Sequence, residues 1–515
     1  MPCKNFANSN LADAVRVIIA AGLSWPSKVV HLTSEPIAPL AQLMTQGGDA
    51  RILLDPVTLL NRYHSGPYPR DLIAFASSTA NDLSADAMDF LSARFDDLAQ
   101  LNHGTHYADF MNGARDQIRS AYGLPATTDI VFAASGTDLE YVALLAVAGR
   151  SPAGICNLLL GSDEVGSGCI HSAAGKYFAN ETPLGHACMP GEPVDGLPSI
   201  HLGDFPVRND AGTAFGSSSI AAQMTERVEA ALADGQHPLI HVVHGSKTGL
   251  VLPHLDDIDL LIARFGERVS FVVDACQARI TSVAITDYLK RGIIVFLTGS
   301  KFMGGPPFSG FALLPAGIVQ SAAPLASGMK HIFRRAEIPA QWSGRGILAD
   351  EGNAGLALRL AGSLFELERF QKLSMAEVSR VVTAFGHATG RMADNLGISK
   401  VASAAPGESE WPLEHPIEMQ TLVTLDLSHD ANGVQQRNLT FEDATRIHKT
   451  LINDGVRLGQ PVRCVRLRDG QWGATLRVGL SMPQVCTFYT LDDTALAAKL
   501  GELIGKVEAR LAPLI

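Results

Sequence analysis

No pair of cysteines in this chain of 515 residues has the C-x-x-C spacing, and the seven present are scattered: Cys3, Cys156, Cys169, Cys188, Cys276, Cys464 and Cys486. An odd, dispersed set argues against a disulfide framework and against a zinc site, and it predicts a reducing, cytoplasmic setting with no bound metal. Long apolar runs are also missing. Nothing approaches the roughly 18 residues that a membrane span requires. The N-terminal run "VRVIIAAGL" is broken by Arg16 and preceded by Asp13, with no small-residue cleavage site, so it reads as an amphipathic helix and not as a signal peptide. Basic charge is scarce as well. Lys and Arg total 41 against 52 Asp and Glu, a net charge of -11, which excludes the basic face of a general nucleic-acid binder. Internal repeats and low-complexity tracts are absent.

What the chain does have is apolar bulk. Its 46% hydrophobic content fits a large interior, and its length predicts two or three domains. Residues 1–83 read as helices and loops with weak signals. In "YADFMNGARDQIRSAYGLP", Phe110, Ala114, Ile118 and Tyr122 recur every fourth position on one helical face, and Gly123 and Pro125 stop the helix. The runs "DIVFAASG", "GICNLLLGSDE", "PLIHVVHGS", "RVSFVVDAC", "GIIVFLTGSK" and "SGFALLP" follow. Most are continuously apolar, which marks strands buried on both faces of a mostly parallel sheet. Helical segments such as "DLEYVALLAVAGR" and "DDIDLLIARFGE" lie between them, so the class is α/β. The domain spans residues 84–340. Within it the Gly/Pro/Ser-rich stretch 181–218 is either an active-site cover or an inserted surface excursion, and the excursion is preferred. Residues 341–515 form a smaller α+β domain, opened by the helix "GNAGLALRLAGSLFELERF" and closed by "LAAKLGELIGKVEARL".

Chemistry in parallel α/β sheets sits at the carboxyl ends of the strands. Three such ends stand out. One carries Ser135, Gly136 and Thr137 directly before a helix, where exposed backbone N–H groups can cradle an anion. A second carries Asp274, with Gln277 just beyond. The third, "FLTGSKFMGGPPFSG", carries Thr298, Ser300 and Lys301. A lysine at the tip of a buried strand suits Schiff-base chemistry with a carbonyl cofactor. A neighbouring carboxylate can hold a pyridine nitrogen protonated, and the glycine-rich helix start can hold a phosphate. These are the needs of pyridoxal phosphate. The small residues around Lys301 are expected to leave room for a flat ring.

The order and spacing of these motifs resemble the fold-type I pyridoxal phosphate enzymes, in particular the class V aminotransferase and cysteine desulfurase group. "VFAASGTDLEYVAL" resembles the phosphate loop, "HGSKTGLVLP" the S-N-x-x-G turn, "VVDACQAR" the D-x-x-Q motif and "TGSKFMGG" the lysine segment. The resemblance implies a seven-stranded large-domain sheet and pyridoxal 5'-phosphate as cofactor. It implies that Lys301 binds the cofactor covalently and moves the substrate proton, that Asp274 pairs with the ring nitrogen, and that Gln277 binds the phenolic oxygen. Ser135, Gly136, Thr137 and Thr298 would surround the phosphate, and Ser300 would reach either the phosphate or the substrate. "ATLRVGLSMPQ" resembles the segment with the carboxylate-binding arginine, which nominates Arg477, with Ser246 and Lys247 as further substrate contacts. A solvated strand arginine is the alternative for Arg477. "SGRGI", starting at Ser343, resembles a segment that reaches the partner subunit, so a homodimer with sites at the interface is implied.

The sequence departs from that pattern in three places. Where the family stacks a ring on the cofactor, Val165 or Gly166 falls, with His171 several residues late, either as the stacking ring or as an ordinary loop histidine. Lys247 stands where an asparagine is expected. The region 440–450 has no cysteine, which argues against sulfur transfer. Transamination of an amino acid or related amine is the simplest expectation. Lyase or carbon–carbon bond chemistry, and a catalytically silent binding protein, are the alternatives.

Overall fold

The computed structural model describes residues 39–98, 100–162, 164–166, 168–405 and 421–515. The N-terminal apolar run lies outside them. The strands are β1 (Ile73–Phe75), β2 (Asp129–Ala133), β3 (Ile155–Leu160), β4 (Ile200–Phe205), β5 (His237–His244), β6 (Val251–Leu252), β7 (Ser270–Asp274), β8 (Ile294–Thr298), β9 (Gly310–Leu314), β10 (Ser399–Lys400), β11 (Leu422–Asp426), β12 (Val456–Leu458) and β13 (Thr475–Gly479). The central sheet has the order β2-β9-β8-β7-β5-β3-β4, and the short β6 pairs with β5 to make it eight-stranded. Only β9 and β6 run antiparallel to their neighbours, so β2, β3, β5, β7 and β8 all present their carboxyl ends along one edge.

The continuous apolar runs account for this sheet. In β2, Ile130 and Phe132 enter one buried cluster, while Val131 and Ala133 enter another on the opposite face. Burial on both faces requires helices on both sides. The helix Gly104–Tyr122 buries Ala114, Ile118 and Tyr122 as its four-residue spacing predicts, and Gly123 ends it at φ 64°. Helices Leu139–Val147 and Leu255–Phe265 pack where the alternation of motifs places them.

The stretch 181–218 is more than a surface excursion. It contains β4, the parallel edge strand beside β3. Its alternation of partly buried and exposed residues, as expected of an edge, denied it the apolar run that marks the other strands. Two turns flank β4, closed by the bridges Glu181–Ala187 and Arg208–Ala214.

The C-terminal part builds an antiparallel sheet β10-β11-β13, flanked by the long helices Ala354–Gln371, Met375–Leu396, Phe441–Asn453 and Asp493–Leu511. Leu356, Leu360, Leu364 and Leu367 are all buried. The segment before residue 84 joins this part directly: β1 pairs in parallel with β12, and Ala76 bridges Gly479. That pairing carries residues 76–81 to the edge of the central sheet where the strand ends converge.

Candidate active site

Lys301 follows β8 by three residues on a turn that is fastened from outside. Asn81 Nδ2 donates to the carbonyls of Ser300 (3.0 Å) and Lys301 (2.6 Å). The glycines of this turn do not open space for a ring. A side chain at Gly299 or Gly305 would collide with Ser363 Oγ, so they let the lysine turn sit against the helix Ala354–Gln371. The Lys301 side chain is half-buried.

Asp274 ends the adjacent β7, and its Oδ1 accepts the N–H of Cys276 at 2.9 Å. Gln277 is buried. Its Nε2 donates to the Ser78 carbonyl at 3.1 Å, while its Oε1 has no partner. Thr298 Oγ1 donates to the Cys276 carbonyl at 2.6 Å, which ties the ends of β7 and β8 together. Gly136 completes the convergence. A Cβ there would stand 3.0 Å from Thr298 Cγ2 and 3.1 Å from Cys276 Sγ, so the turn after β2 lies directly over the other two strand ends. In that turn Ser135 Oγ donates to Asp138 Oδ2 at 2.6 Å, and burial pushes the Asp138 carboxyl up to about 7.

Behind Asp274 lies a sealed polar pair. Glu140 and His241 are 3.4 Å apart and each 1% exposed. Burial raises the Glu140 carboxyl well above its ordinary range, helped by the charge of Asp274, and burial lowers His241 to about 3. Burial thus disfavours the charged form of both groups. Burial likewise holds the thiols of Cys169 and Cys276 up, with Asp274 adding to this and Lys301 opposing it.

On the other side of Lys301 stand two cations. Arg477, on β13, is 4% exposed. It donates from Nε to the Gln460 carbonyl (2.8 Å), from Nη1 to the carbonyls of Ser78 (3.3 Å) and Lys247 (3.4 Å), and from Nη2 to Thr79 Oγ1 (3.0 Å). These partners are three backbone carbonyls and a hydroxyl, and burial lowers the guanidinium to about 10. It is not a solvated strand arginine. Burial, and then the charge of Arg477, lowers Lys247 to about 8. The loop that bears Lys247 hangs on Glu164, whose Oε2 accepts from Ser246 Oγ (2.8 Å) and the Thr248 N–H (3.0 Å) and whose Oε1 accepts from Arg208 Nε (3.1 Å) and Thr248 Oγ1 (2.8 Å). No groups of metal-ligating side chains occur among the described residues.

No family model and no curated protein matches the chain. Solved structures do. The cysteine desulfurase CsdA from Escherichia coli superposes with a TM-score of 0.54 at 14% identity, over 86% of this chain and 96% of its own. A C-DES variant with glycine covalently linked to its PLP cofactor gives 0.54 at 15% identity, over 86% and 96%. The cystine C–S lyase C-DES with its product cysteine persulfide gives 0.52 at 15%, over 84% and 97%. The chain has the fold of the fold-type I pyridoxal phosphate enzymes. At such identities the likeness is one of architecture, and the chemistry rests on this chain's own residues.

In this fold-type I chain the strand ends bring together Ser135, Gly136, Thr137, Asp274, Gln277, Thr298, Ser300 and Lys301. Ser246, Lys247 and Arg477 close the opposite side. His171 is exposed on the short helix Cys169–Ala173, which buries Cys169, Ser172 and Ala173 instead. The sequence reading missed Arg51, Ser78, Thr79 and Asn81. They come from the early segment, which carries no motif of its own: Ser78, Thr79 and Asn81 follow β1, whose pairing with β12 brings them in, and the chain just before Arg51 is held by Arg359, which donates to the carbonyls of Met44, Gln46 and Gly47. It also missed the Glu140–His241 pair. Glu140 reads locally as an ordinary acidic residue in the first turn of a helix, and only the packing of that helix on β5 buries it.

Proposed function

We propose that this protein is a pyridoxal phosphate-dependent enzyme acting on an amino acid or a related amine, most simply as an aminotransferase. The observation that carries the reading is the convergence of Lys301, Asp274 and Gln277 with the Ser135–Thr137 turn on one edge of the sheet. Two features suit the cofactor. The orphaned, buried Gln277 Oε1 faces a site that offers it no protein partner, as expected of a group held for a ligand. Gly136, without a side chain, lets the turn after β2 close on Thr298 and Cys276, which brings a helix start and its N–H groups over the ends of β7 and β8, where a phosphate would be received. When bound, pyridoxal phosphate supplies an electron sink for a carbanion next to nitrogen.

The chain's residues then divide the work. Lys301 Nζ binds the cofactor and shuttles the proton at the substrate's α-carbon. Asp274 would pair with the ring nitrogen, with the Glu140–His241 contact buried behind it. Ser135, Thr137, Thr298 and Ser300 hold the phosphate. Arg477, pinned by its carbonyl partners, presents a charge to the substrate carboxylate, and Lys247 lies beside it with Ser246. Two cations on one side of the lysine favour an amino acid with a second anionic group. Among the described residues six cysteines, Cys156, Cys169, Cys188, Cys276, Cys464 and Cys486, are unpaired, which supports a cytoplasmic setting. A homodimer is supported by the exposed segment Ser343–Ile347 and by exposed Ile170 and Ile347, each 44% accessible. No helix among the described residues is long and apolar enough to cross a membrane.

The test is to load the protein with pyridoxal phosphate and titrate in a panel of amines and amino acids while recording the visible spectrum. The expected result is a shift with a dicarboxylic or phosphorylated amino acid at lower concentration than with an apolar one. A spectrum that no amine alters would refute the catalytic reading and leave a cofactor-binding protein.

A further inference from the structure

We infer that Arg51, outside every motif of the fold, is a ligand of the cofactor's phosphate, supplied by the early segment of the chain. This rests on the pyridoxal phosphate reading above and adds a residue to it. Arg51 lies on the short 3-10 turn Ala50–Ile52, yet its guanidinium reaches the turn after β2. Nη2 donates to Ser135 Oγ at 3.3 Å and Nη1 to Thr137 Oγ1 at 3.4 Å. These are the hydroxyls on either side of Gly136.

The guanidinium is built into place. Asp49, 3% exposed, takes Nε through Oδ1 at 2.8 Å and Nη2 through Oδ2 at 2.6 Å. Phe178 and Phe308 lie 5.1 and 4.5 Å from the guanidinium carbon and cover it. Burial disfavours the charge, but the bond to Asp49 more than restores it, so the group is a permanent cation. With those contacts made, every N–H is used except one on Nη1, beside Thr137. The aromatic rings and Asp49 leave only that edge of the fork open, and the edge faces the Ser135–Thr137 turn. A fixed guanidinium edge beside backbone N–H groups at a helix start is suited to a phosphate oxygen. The weak 3.3 and 3.4 Å bonds to the two hydroxyls are of the kind that an anion can replace, with the Thr137 hydroxyl turning to donate to it while Ser135 Oγ keeps its bond to Asp138.

The probes are pyridoxal phosphate and pyridoxal, which differ only by the phosphate, and the readout is the dissociation constant of each from visible absorbance. In Arg51→Gln the Kd for pyridoxal phosphate should rise about tenfold or more, as for loss of one charge-assisted hydrogen bond, while the Kd for pyridoxal stays as in the wild type. The ratio of the two constants is the decisive quantity, because a general loosening of the fold moves both. An unchanged ratio overturns the inference. If Arg51→Gln does not fold, Arg51→Lys decides by the same ratio of the pyridoxal phosphate constant to the pyridoxal constant, which should rise by a smaller factor. Its staying at the wild-type value counts equally against the assignment. A wild-type protein that binds neither probe refutes the cofactor reading itself, an outcome distinct from an unchanged ratio.

Discussion

Arg208→Met should destabilise the protein by about 3 kcal/mol, because it strands a buried carboxylate. Arg208 and Glu164 are 5% and 1% exposed in their side chains and meet at 3.1 Å. Removing one partner of such a pair costs roughly 3–5 kcal/mol when the remaining charge is left alone. Glu164 is not left entirely alone: Ser246 Oγ, the Thr248 N–H and Thr248 Oγ1 still donate to it, which sets the expectation at the lower end. The arginine's own bonds to the Gly212 carbonyl and Thr248 Oγ1 go too. The assay is denaturant unfolding of the single variant and of Arg208→Met/Glu164→Gln. The double variant should recover most of the loss, since a neutral amide no longer needs the cation. A loss below about 1 kcal/mol, as for an exposed pair, or a double variant no more stable than the single one, would refute the argument. The pair also carries the turn that bears Lys247, so KM for an anionic amino acid should rise in the single variant.

Asp274→Asn should leave the cofactor bound and lower kcat by about a hundredfold or more, the scale of a lost charge or proton partner; equal turnover in a stopped assay would show that the ring nitrogen needs no such partner. Arg477→Lys keeps a charge but not the fork, and should raise KM for a carboxylate substrate about tenfold, as expected for one lost charge-assisted bond, with cofactor affinity unchanged. If Lys247→Met gives the larger effect instead, the carboxylate is anchored on that side. Lys247 also predicts a pH dependence. Its folded value of about 8 lies below the ordinary 10.5, so between those values the unfolded chain holds a proton that the folded chain has released. Stability contributed by this site therefore rises as pH increases from about 8 to 10.5, and that slope should be missing in Lys247→Met.

Strands buried on both faces announced themselves in the sequence. β2, β3, β5, β7, β8 and β9 each lie within an apolar run, and the motifs at their ends gave Lys301, Asp274, Gln277 and the Ser135–Thr137 turn. β4 escaped because an edge strand with one open face has no such run, and it was read as an excursion. β1 has only three residues, and its partner β12 lies several hundred positions away, so no local pattern could join them. Arg51 was invisible for the same reason: nothing near it in sequence touches Ser135 or Thr137. The role of the glycines around Lys301 was legible only in part. They were expected to leave room for a flat ring, whereas Gly299 and Gly305 let the helix Ala354–Gln371 approach, which is a matter of tertiary packing. His171 was placed by counting from a motif, and counting cannot say which way a short helix turns.

The most direct test of the central claim is covalent. Wild-type protein is mixed with pyridoxal phosphate, reduced with borohydride and digested, and the modified lysine is identified by peptide mass. The account predicts a single phosphopyridoxyl adduct on Lys301, lost in Lys301→Ala. An adduct on Lys247 or on exposed lysines alone, or no adduct under conditions that label a control pyridoxal phosphate enzyme, would contradict it.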